Sequence, residues 1–262
     1  MKSYHYCAPL LIAVASSAHA ATPLNLKTIV ASVDGEYLSY SGAFGSRRIV
    51  NTTTGIDLGT TNLSLSISQG DRKADGDKFK ATRLSATLVH DWSARLSTRT
   101  TAGIASDKPV FVTRELVQEV SYKPLPQTVL TVGGRYSRYF GGQEALSWSV
   151  GAAQYFRGGS INYRFSSFNV QHVGHTTGHL LGVKLKDPLG ASQLWLGHGT
   201  ALNDALWLPT VEKGKNTSVE LRRIQPIGAG IGLMVGVNRS WYNTDSTKHH
   251  GTGVRFGLTF GK

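Results

Sequence analysis

Apolar and polar side chains alternate along most of this chain from about residue 28 onward. The segment 254–260 shows the pattern most clearly, because large apolar residues occupy every second position and arginine, glycine and threonine lie between them. Successive side chains of a β-strand point to opposite faces, so this alternation predicts a strand with one apolar and one polar face. Segments of about ten residues with this alternation, separated by turn residues, are typical of transmembrane β-barrels.

The spacing of these segments predicts about fourteen strands, and a count of about twelve also fits. Tight turns such as 59–61 alternate with longer, more polar connections such as 72–77, 200–214 and 240–249. Outer-membrane barrels have short periplasmic turns and longer external loops. The predicted fold is therefore all-β: a single closed antiparallel transmembrane β-barrel. The predicted strands span 28–40, 47–57, 62–71, 78–90, 94–105, 113–123, 128–139, 146–156, 160–170, 178–187, 192–199, 215–224, 229–240 and 250–261.

Charged residues within the strands fall on the polar face. A charge on the lipid face near the middle of the bilayer costs about 2–4 kcal/mol, so these residues are expected to line the lumen. They can form salt bridges that fill the barrel, with Glu36 and Glu220 as further partners. They can also attract anionic solutes or sugars, and both interpretations stay open. The predicted lumen charges are Arg95, Arg99, Glu119, Arg135, Arg164, Lys184 and Arg222.

Aromatic residues are expected near both ends of the strands, as at the two interfaces of a bilayer. Candidates for the outer interface include Tyr40, Tyr139, Trp148 and Trp241. The connection 200–214 is unusual because Leu206 and Trp207 make it too apolar for a free external loop. It is expected to fold into the barrel as a plug or to dock on a partner, unless it contains an additional strand.

The N-terminal segment 1–20 predicts a secretory signal peptide, which leaves 21–262 as the barrel domain. Lys2 supplies a positive start, the stretch 8–15 is mostly apolar, and small residues at 18 and 20 fit a cleavage site. The longest apolar run, 229–237, is too short for a transmembrane helix. The net charge is +12, but the basic residues are spread over strands and turns, so nucleic acid is not an expected partner.

Four short motifs in the central strands point to a known family. They are Leu125-Pro126 at a turn, Gly134-Arg135-Tyr136, Gln154-Tyr155-Phe156 and Tyr163-Arg164-Phe165. This order resembles the YaiO family of outer-membrane β-barrel proteins. The resemblance implies the cell outer membrane as location and no established catalytic activity, and it gives no site residues. No cofactor is expected. The surrounding partners would be outer-membrane lipid and lipopolysaccharide, and the spacing of Gly253, Phe256 and Leu258 resembles a strand that the barrel-assembly machinery recognises.

Histidines offer the remaining candidate chemistry. His175 and His179 have metal-site spacing only on a helix, whereas this stretch predicts a loop entering a strand, so no metal site is expected. His198 and Asp204 could serve an enzyme at the barrel rim, but no nucleophile–base pair has diagnostic spacing, so the chain is not expected to be an enzyme. The predicted function is passage or binding of small solutes or surface glycans (polysaccharides) through a basic lumen. The alternatives are a structural barrel that contacts surface partners and a rim-located enzyme that modifies lipid or lipopolysaccharide.

Overall fold

The computed structural model describes residues 28–74, 76–171, 174–199, 214–228, 230–244 and 248–261. The predicted signal peptide lies outside these residues. Nearly all of the described chain is β-strand, apart from two short 3-10 turns at Gly42–Phe44 and Phe140–Gly142. The strands are β1 (Thr28–Tyr40), β2 (Ser46–Asp57), β3 (Thr61–Ala74), β4 (Asp77–Asp91), β5 (Leu96–Ala105), β6 (Arg114–Leu125), β7 (Thr128–Arg138), β8 (Glu144–Phe156), β9 (Gly159–Val170), β10 (Gly174–Asp187), β11 (Gly190–Gly199), β12 (Gly214–Gly228), β13 (Ile231–Thr244) and β14 (Lys248–Gly261).

Each strand pairs antiparallel with its neighbours in sequence, and the sheet closes on itself. The closing seam joins β1 to β14, with Cα pairs running from Val30 and Gly261 to Tyr40 and Gly251. Closure leaves no strand edge unpaired, which is the requirement for a sheet that crosses a bilayer. The structure therefore confirms the closed antiparallel barrel and the count of fourteen strands.

The two faces of the wall are oriented as the alternation predicts. On β3, Leu65 is 50% exposed on the outside of the barrel, whereas Ser68 on the opposite face is 7% exposed. On β14, Val254, Phe256, Leu258 and Phe260 are exposed on the outside, and Arg255 points inward to Glu36. Among the described residues, no helix is long and apolar enough to cross a membrane.

The connections differ between the two ends of the barrel. At one end, which we call the turn end, the strands are joined by the short segments 58–60, 92–95, 126–127, 157–158 and 188–189. The opposite end, which we call the loop end, holds the longer connections 106–113 and 139–143. The predicted bounds of the connections 72–77 and 240–249 were wrong, because β3 and β13 extend as paired strands to Ala74 and Thr244, and β4 and β14 begin at Asp77 and Lys248. The polar residues in these segments continue the pairing between strands, but they lie beyond the apolar part of the wall. Their sequence pattern therefore resembles that of a loop.

Aromatic side chains form the expected belts on the outer wall. Trp92 and Tyr122 are exposed near the turn end, and Trp148 and Trp241 are exposed near the loop end. Such belts are typical of the two bilayer interfaces. The predicted position of Tyr40 at the outer interface was wrong, because its side chain points into the barrel and is buried. Tyr139 also packs against a buried cluster instead of facing lipid, and this burial raises the pKa of its hydroxyl.

Adjacent positions on β3 should respond differently to the same charge. We expect Leu65→Arg to lower the free energy of unfolding by about 2–4 kcal/mol, because the guanidinium would face lipid near the middle of the wall. The control Ser64→Arg places the same side chain in the polar lumen and should cost less than about 1 kcal/mol. Urea titration of the barrel refolded into lipid vesicles measures both values, and equal losses would contradict the assigned faces.

Candidate functional site

The lumen contains three glutamates that are each held by two arginines. Such charge-assisted pairs are short and strong, and they satisfy carboxylates that would otherwise be buried without partners. Two of the three glutamates, Glu115 and Glu119, lie on the same face of β6. The groups are Glu115 with Arg83 and Arg135, Glu119 with Arg99 and Arg164, and Glu36 with Arg47 and Arg255.

Glu119 connects strands that are not neighbours. Its carboxylate lies 3.5 Å from the Arg99 guanidinium on β5 and 2.7 Å from that of Arg164 on β9. The contact with Arg164 spans two intervening strands, and each of these strands has a glycine beside one of the charged side chains. A Cβ at Gly133 on β7 would lie 2.9 Å from the Glu119 Cγ, and one at Gly151 on β8 would lie 3.8 Å from the Arg164 Cβ. Gly133 therefore leaves room for the Glu119 side chain to reach Arg164 along the lumen wall, whereas the contact at Gly151 has an ordinary van der Waals length.

Glu115 repeats this arrangement toward the loop end. Arg135 on β7 lies 2.7 Å from the Glu115 carboxylate, and Arg83 on β4 pairs with its other oxygen. The Arg83 side chain extends over the inner face of β5 at Gly103, where an added Cβ would lie 3.1 Å from the Arg83 guanidinium. The lumen-facing arginines of β4, β5, β7 and β9 are therefore each paired with one of the two glutamates of β6.

The arginines are much more accessible than the glutamates that hold them. The side chains of Arg99, Arg164 and Arg135 are 53%, 39% and 37% exposed, whereas those of Glu119 and Glu115 are 7% and 11% exposed. Each glutamate also has two arginine partners, so one positive charge per group remains uncompensated. A solute in this part of the lumen therefore meets guanidinium groups and a positive field.

The ion-paired groups of the opposite wall contain equal numbers of positive and negative charges. Around β14, β1 and β2, Arg255 contacts Glu36 and lies 3.8 Å from Asp34, and Arg47 lies 3.7 Å from Glu36. On β12, Arg222 lies 2.6 Å from Glu220 two residues earlier. Positive and negative charges balance in both groups, whereas each glutamate group on the β4–β9 side of the lumen carries one surplus positive charge. We refer to that side as the basic wall.

Hydroxyl groups occupy much of the remaining inner face. Oxygen atoms of Thr87 and Thr101 lie 2.9 Å apart, and the hydroxyls of Ser121 and Thr131 are also 2.9 Å apart. Each hydroxyl can donate and accept, so such pairs can exchange hydrogen bonds with a passing polar solute. The lumen surface thus combines guanidinium donors with neutral hydroxyls.

The loop end of the lumen is narrowed by the connection 106–113. Val110 is buried there, and a Cβ added to the inner face of Gly70 would lie 2.8 Å from the Val110 side chain and 2.9 Å from the Phe111 ring. The connection therefore folds inward against β3. Nearby, the Arg72 guanidinium lies over the Tyr40 ring at 5.4 Å, a distance typical of cation–π contacts.

An aromatic stack completes this constriction. The His249 ring lies between Phe44 and Tyr242, with centroid distances of 3.8 Å and 4.5 Å and nearly parallel planes. Tyr242 also packs with Leu38 and Tyr40 in a buried cluster. The apolar core of the barrel therefore lies inside the lumen at its loop end, above the basic wall.

The predicted lumen residues are found mostly where the alternation places them. Arg99, Glu119, Arg135, Arg164 and Arg222 all make ion pairs inside the barrel. Arg95 does not, because it lies exposed in the tight turn 92–95. The sequence reasoning missed Arg47, Arg83 and Glu115, although Glu115 shares the polar face of its strand with Glu119 and could have been found from that. Leu206 and Trp207 lie outside the described residues, so their role as a plug stays a prediction.

The histidines of β10 and β11 lie on the outer wall, not in a loop. His179 is adjacent to His198 in the pairing of these strands. The His179 Nδ1 is 2.7 Å from the Tyr163 hydroxyl, and the His198 Nδ1 is 2.9 Å from the Thr217 hydroxyl. No group of three or more metal-ligating side chains occurs in the part of the chain that the structure describes, and Asp204 lies outside that part.

The barrel is similar to solved porins and channels at low sequence identity. The CymD monoaromatic hydrocarbon channel matches with a TM-score of 0.59 and 7% identity, covering 89% of this chain and 87% of that chain. A bacterial polysaccharide outer membrane secretin matches with a TM-score of 0.56 and 10% identity, covering 90% and 98%. An anion-selective porin from Comamonas acidovorans matches with a TM-score of 0.50 and 10% identity, covering 90% and 100%. These likenesses concern the fold, which proteins with different cargoes share.

A family model gives the more specific assignment. The model of the YaiO membrane beta barrel domain matches residues 29–203. The match includes β2–β11 and nearly all of β1, and thus every strand of the basic wall. The chain therefore belongs to the YaiO family of membrane β-barrel proteins.

Proposed function

We propose that this barrel passes small hydrophilic anions across the outer membrane of a bacterium. The observation that carries the proposal is the difference in exposure within the basic wall. Arg99, Arg135 and Arg164 present their guanidinium groups to the lumen, and the glutamates that hold them are covered. If the charges only filled the barrel, the arginines and glutamates would be covered alike.

The surplus positive charge provides the selectivity. A positive field inside low-dielectric walls raises the local concentration of anions and lowers that of cations. Each arginine stays in position because its glutamate holds it, so a solute can pass without drawing the side chain out of place. Ion pairs that remain partly hydrated bind a passing anion weakly enough to release it, which conduction requires.

The hydroxyl pairs suggest the chemical class of the solute. Groups such as Thr87 and Thr101 can replace the hydrogen bonds that a polyhydroxy compound makes with water. Combined with guanidinium groups, they favour small carboxylated or phosphorylated sugars over neutral sugars of the same size. The similarity to a polysaccharide outer membrane secretin concerns the fold alone, so passage of surface glycans is the second, less specific form of the proposal.

The orientation of the barrel follows from its two ends. Short turns are typical of the periplasmic side and longer loops of the external side, so we place the turn end in the periplasm and the constriction at the cell surface. Lipopolysaccharide would then surround the loop end. The backbone edge of β14, a strand that carries Phe256 and Leu258 on its apolar face, would be available to the barrel-assembly machinery before it pairs with β1.

Uptake into liposomes tests the proposal directly. Purified barrel in liposomes should admit gluconate faster than glucose, and glucose faster than glucosamine, which are of similar size and carry negative, zero and positive charge. Liposomes without protein are the control. Equal rates for the three solutes, or fastest entry of glucosamine, would contradict the anionic preference, and no uptake of any solute would contradict passage itself.

A further inference from the structure

A group of cations lies on the outer wall at the loop end of β2–β4. The side chains that alternate with the inward Ser68 and Arg72 point outward, and they include Asp71 and Lys73 on β3. Asp71 has Arg48 of β2 and Lys80 of β4 as its Cα partners. Arg48, Lys73, Lys78 and Lys80 thus surround a single carboxylate among the outward positions. We refer to these four residues as the cationic cluster.

The pairing within the cationic cluster is electrostatically unfavourable for the isolated chain. Lys73 and Lys78 are direct cross-strand partners, and like charges directly opposite each other destabilise a sheet. Among the described residues, none of the three lysines makes an ion pair within 4.0 Å. Anionic groups from outside the chain would remove this repulsion.

A polar cavity lies at the cationic cluster. It has a volume of about 560 Å³ and opens on the outer wall. Arg48 lines this cavity, and its guanidinium packs on the Tyr37 ring, 5.5 Å from the ring centroid. Hydroxyl and amide groups supply further hydrogen-bond donors. The polar side chains that line the cavity are Arg48, Gln69, Asp71, Lys80, Thr82 and Ser106.

A second, apolar cavity continues the first toward the middle of the membrane. It has a volume of about 690 Å³ and occupies the next outward positions on β2, β3 and β4, together with β5. Its lining combines small residues with larger apolar residues. From Lys80 to Ala86 along β4 the two cavities span about 20 Å, the length scale of a fatty acyl chain. The residues of this lipid groove include Thr54, Leu65, Ile67, Leu84, Ala86 and Ala102.

We infer that the two cavities bind the lipid A part of lipopolysaccharide, with its phosphate groups on the cationic cluster and an acyl chain in the lipid groove. Charge complementarity at one end and apolar surface at the other match a phosphorylated, acylated glycolipid. The loop end lies in the outer leaflet in the orientation given above, which selects lipopolysaccharide over glycerophospholipid. The inference rests on that orientation and not on the passage of solutes.

Native mass spectrometry of the refolded barrel tests the inference. The probes are bisphosphorylated lipid A and phosphatidylglycerol, each added at the same concentration in detergent. The wild type should retain one lipid A molecule and little phosphatidylglycerol. Lys78→Glu with Lys80→Glu should weaken lipid A binding at least about tenfold, since both head-group contacts become repulsive. Ala86→Trp, which fills the lipid groove, should weaken it to a similar degree.

Matched variants elsewhere on the wall serve as controls. Lys215→Glu reverses an exposed charge on the outer face of β12, and Ala152→Trp enlarges an outward alanine on β8. Both should bind lipid A like the wild type. If a charge-reversed barrel fails to fold, as judged by its heat-dependent mobility on gels, Lys78→Ala with Lys80→Ala replaces it. Unchanged lipid A binding in the cluster or groove variants would overturn the inference, and so would equal retention of phosphatidylglycerol.

Discussion

Replacement of Arg135 and Arg164 by glutamate should convert an anion-preferring lumen into a cation-preferring one. Both guanidinium groups are exposed to the lumen on the basic wall, and each exchange puts a carboxylate beside Glu115 or Glu119. The chloride-to-potassium permeability ratio should therefore fall on the order of tenfold, from above one to below one. Reversal potentials of single barrels in a planar bilayer, recorded across a potassium chloride gradient, measure this ratio.

Three further double variants test whether the permeability ratio follows the charge of the lumen. Glu115→Gln with Glu119→Gln should raise the anion preference, and Arg135→Gln with Arg164→Gln should give an intermediate value even if the doubly reversed barrel does not fold. Arg114→Glu with Arg138→Glu is the matched control. These two arginines are paired on the outward faces of the same strands, β6 and β7, and should change the ratio little at high salt. A ratio that does not follow the lumen charge would contradict the role of the basic wall.

Removal of the constriction should have the largest effect on conductance. Val110 and Phe111 cover the inner face of Gly70 at the loop end, and both side chains are apolar. We expect Val110→Gly with Phe111→Gly to raise the conductance of a single barrel at least about twofold, because the narrowest part of a pore limits its current. The charge selectivity should change little, since the basic wall lies deeper in the lumen.

The control for this variant is Leu189→Gly. Leu189 is a large apolar residue in the tight turn 188–189 at the opposite end of the barrel, where it is exposed. Its removal should leave the conductance unchanged. If the variant at 110 and 111 conducts like the wild type, then the connection 106–113 does not limit the current. The predicted plug around Leu206 and Trp207 would then become the next candidate.

The strand count and the two faces could be predicted because they depend on local chemistry. An apolar side chain at every second position, as at Leu63, Leu65 and Ile67, is required wherever a strand crosses lipid. The same requirement assigns Arg99, Arg135 and Arg164 to the lumen from the amino-acid sequence alone. The family resemblance also concerned this part of the chain, and it was confirmed.

The partners of the lumen charges could not be predicted in the same way. Alternation fixes the face of a side chain, but the contact between Glu119 and Arg164 depends on strand register and on small residues of two intervening strands. The constriction was missed for a related reason. At the loop end, beyond the apolar part of the wall, Tyr40 and Arg72 face inward at every second position, as the other lumen residues do. Only the fold shows that these two side chains pack together.

The reversal potential of the wild-type barrel tests the central claim most directly. With dilute and concentrated potassium chloride on the two sides of a planar bilayer, the potential at zero current takes its sign from the more permeant ion. The exposed arginines of the basic wall predict the sign set by chloride. A potential with the sign set by potassium, or no current through a correctly folded barrel, would contradict the account.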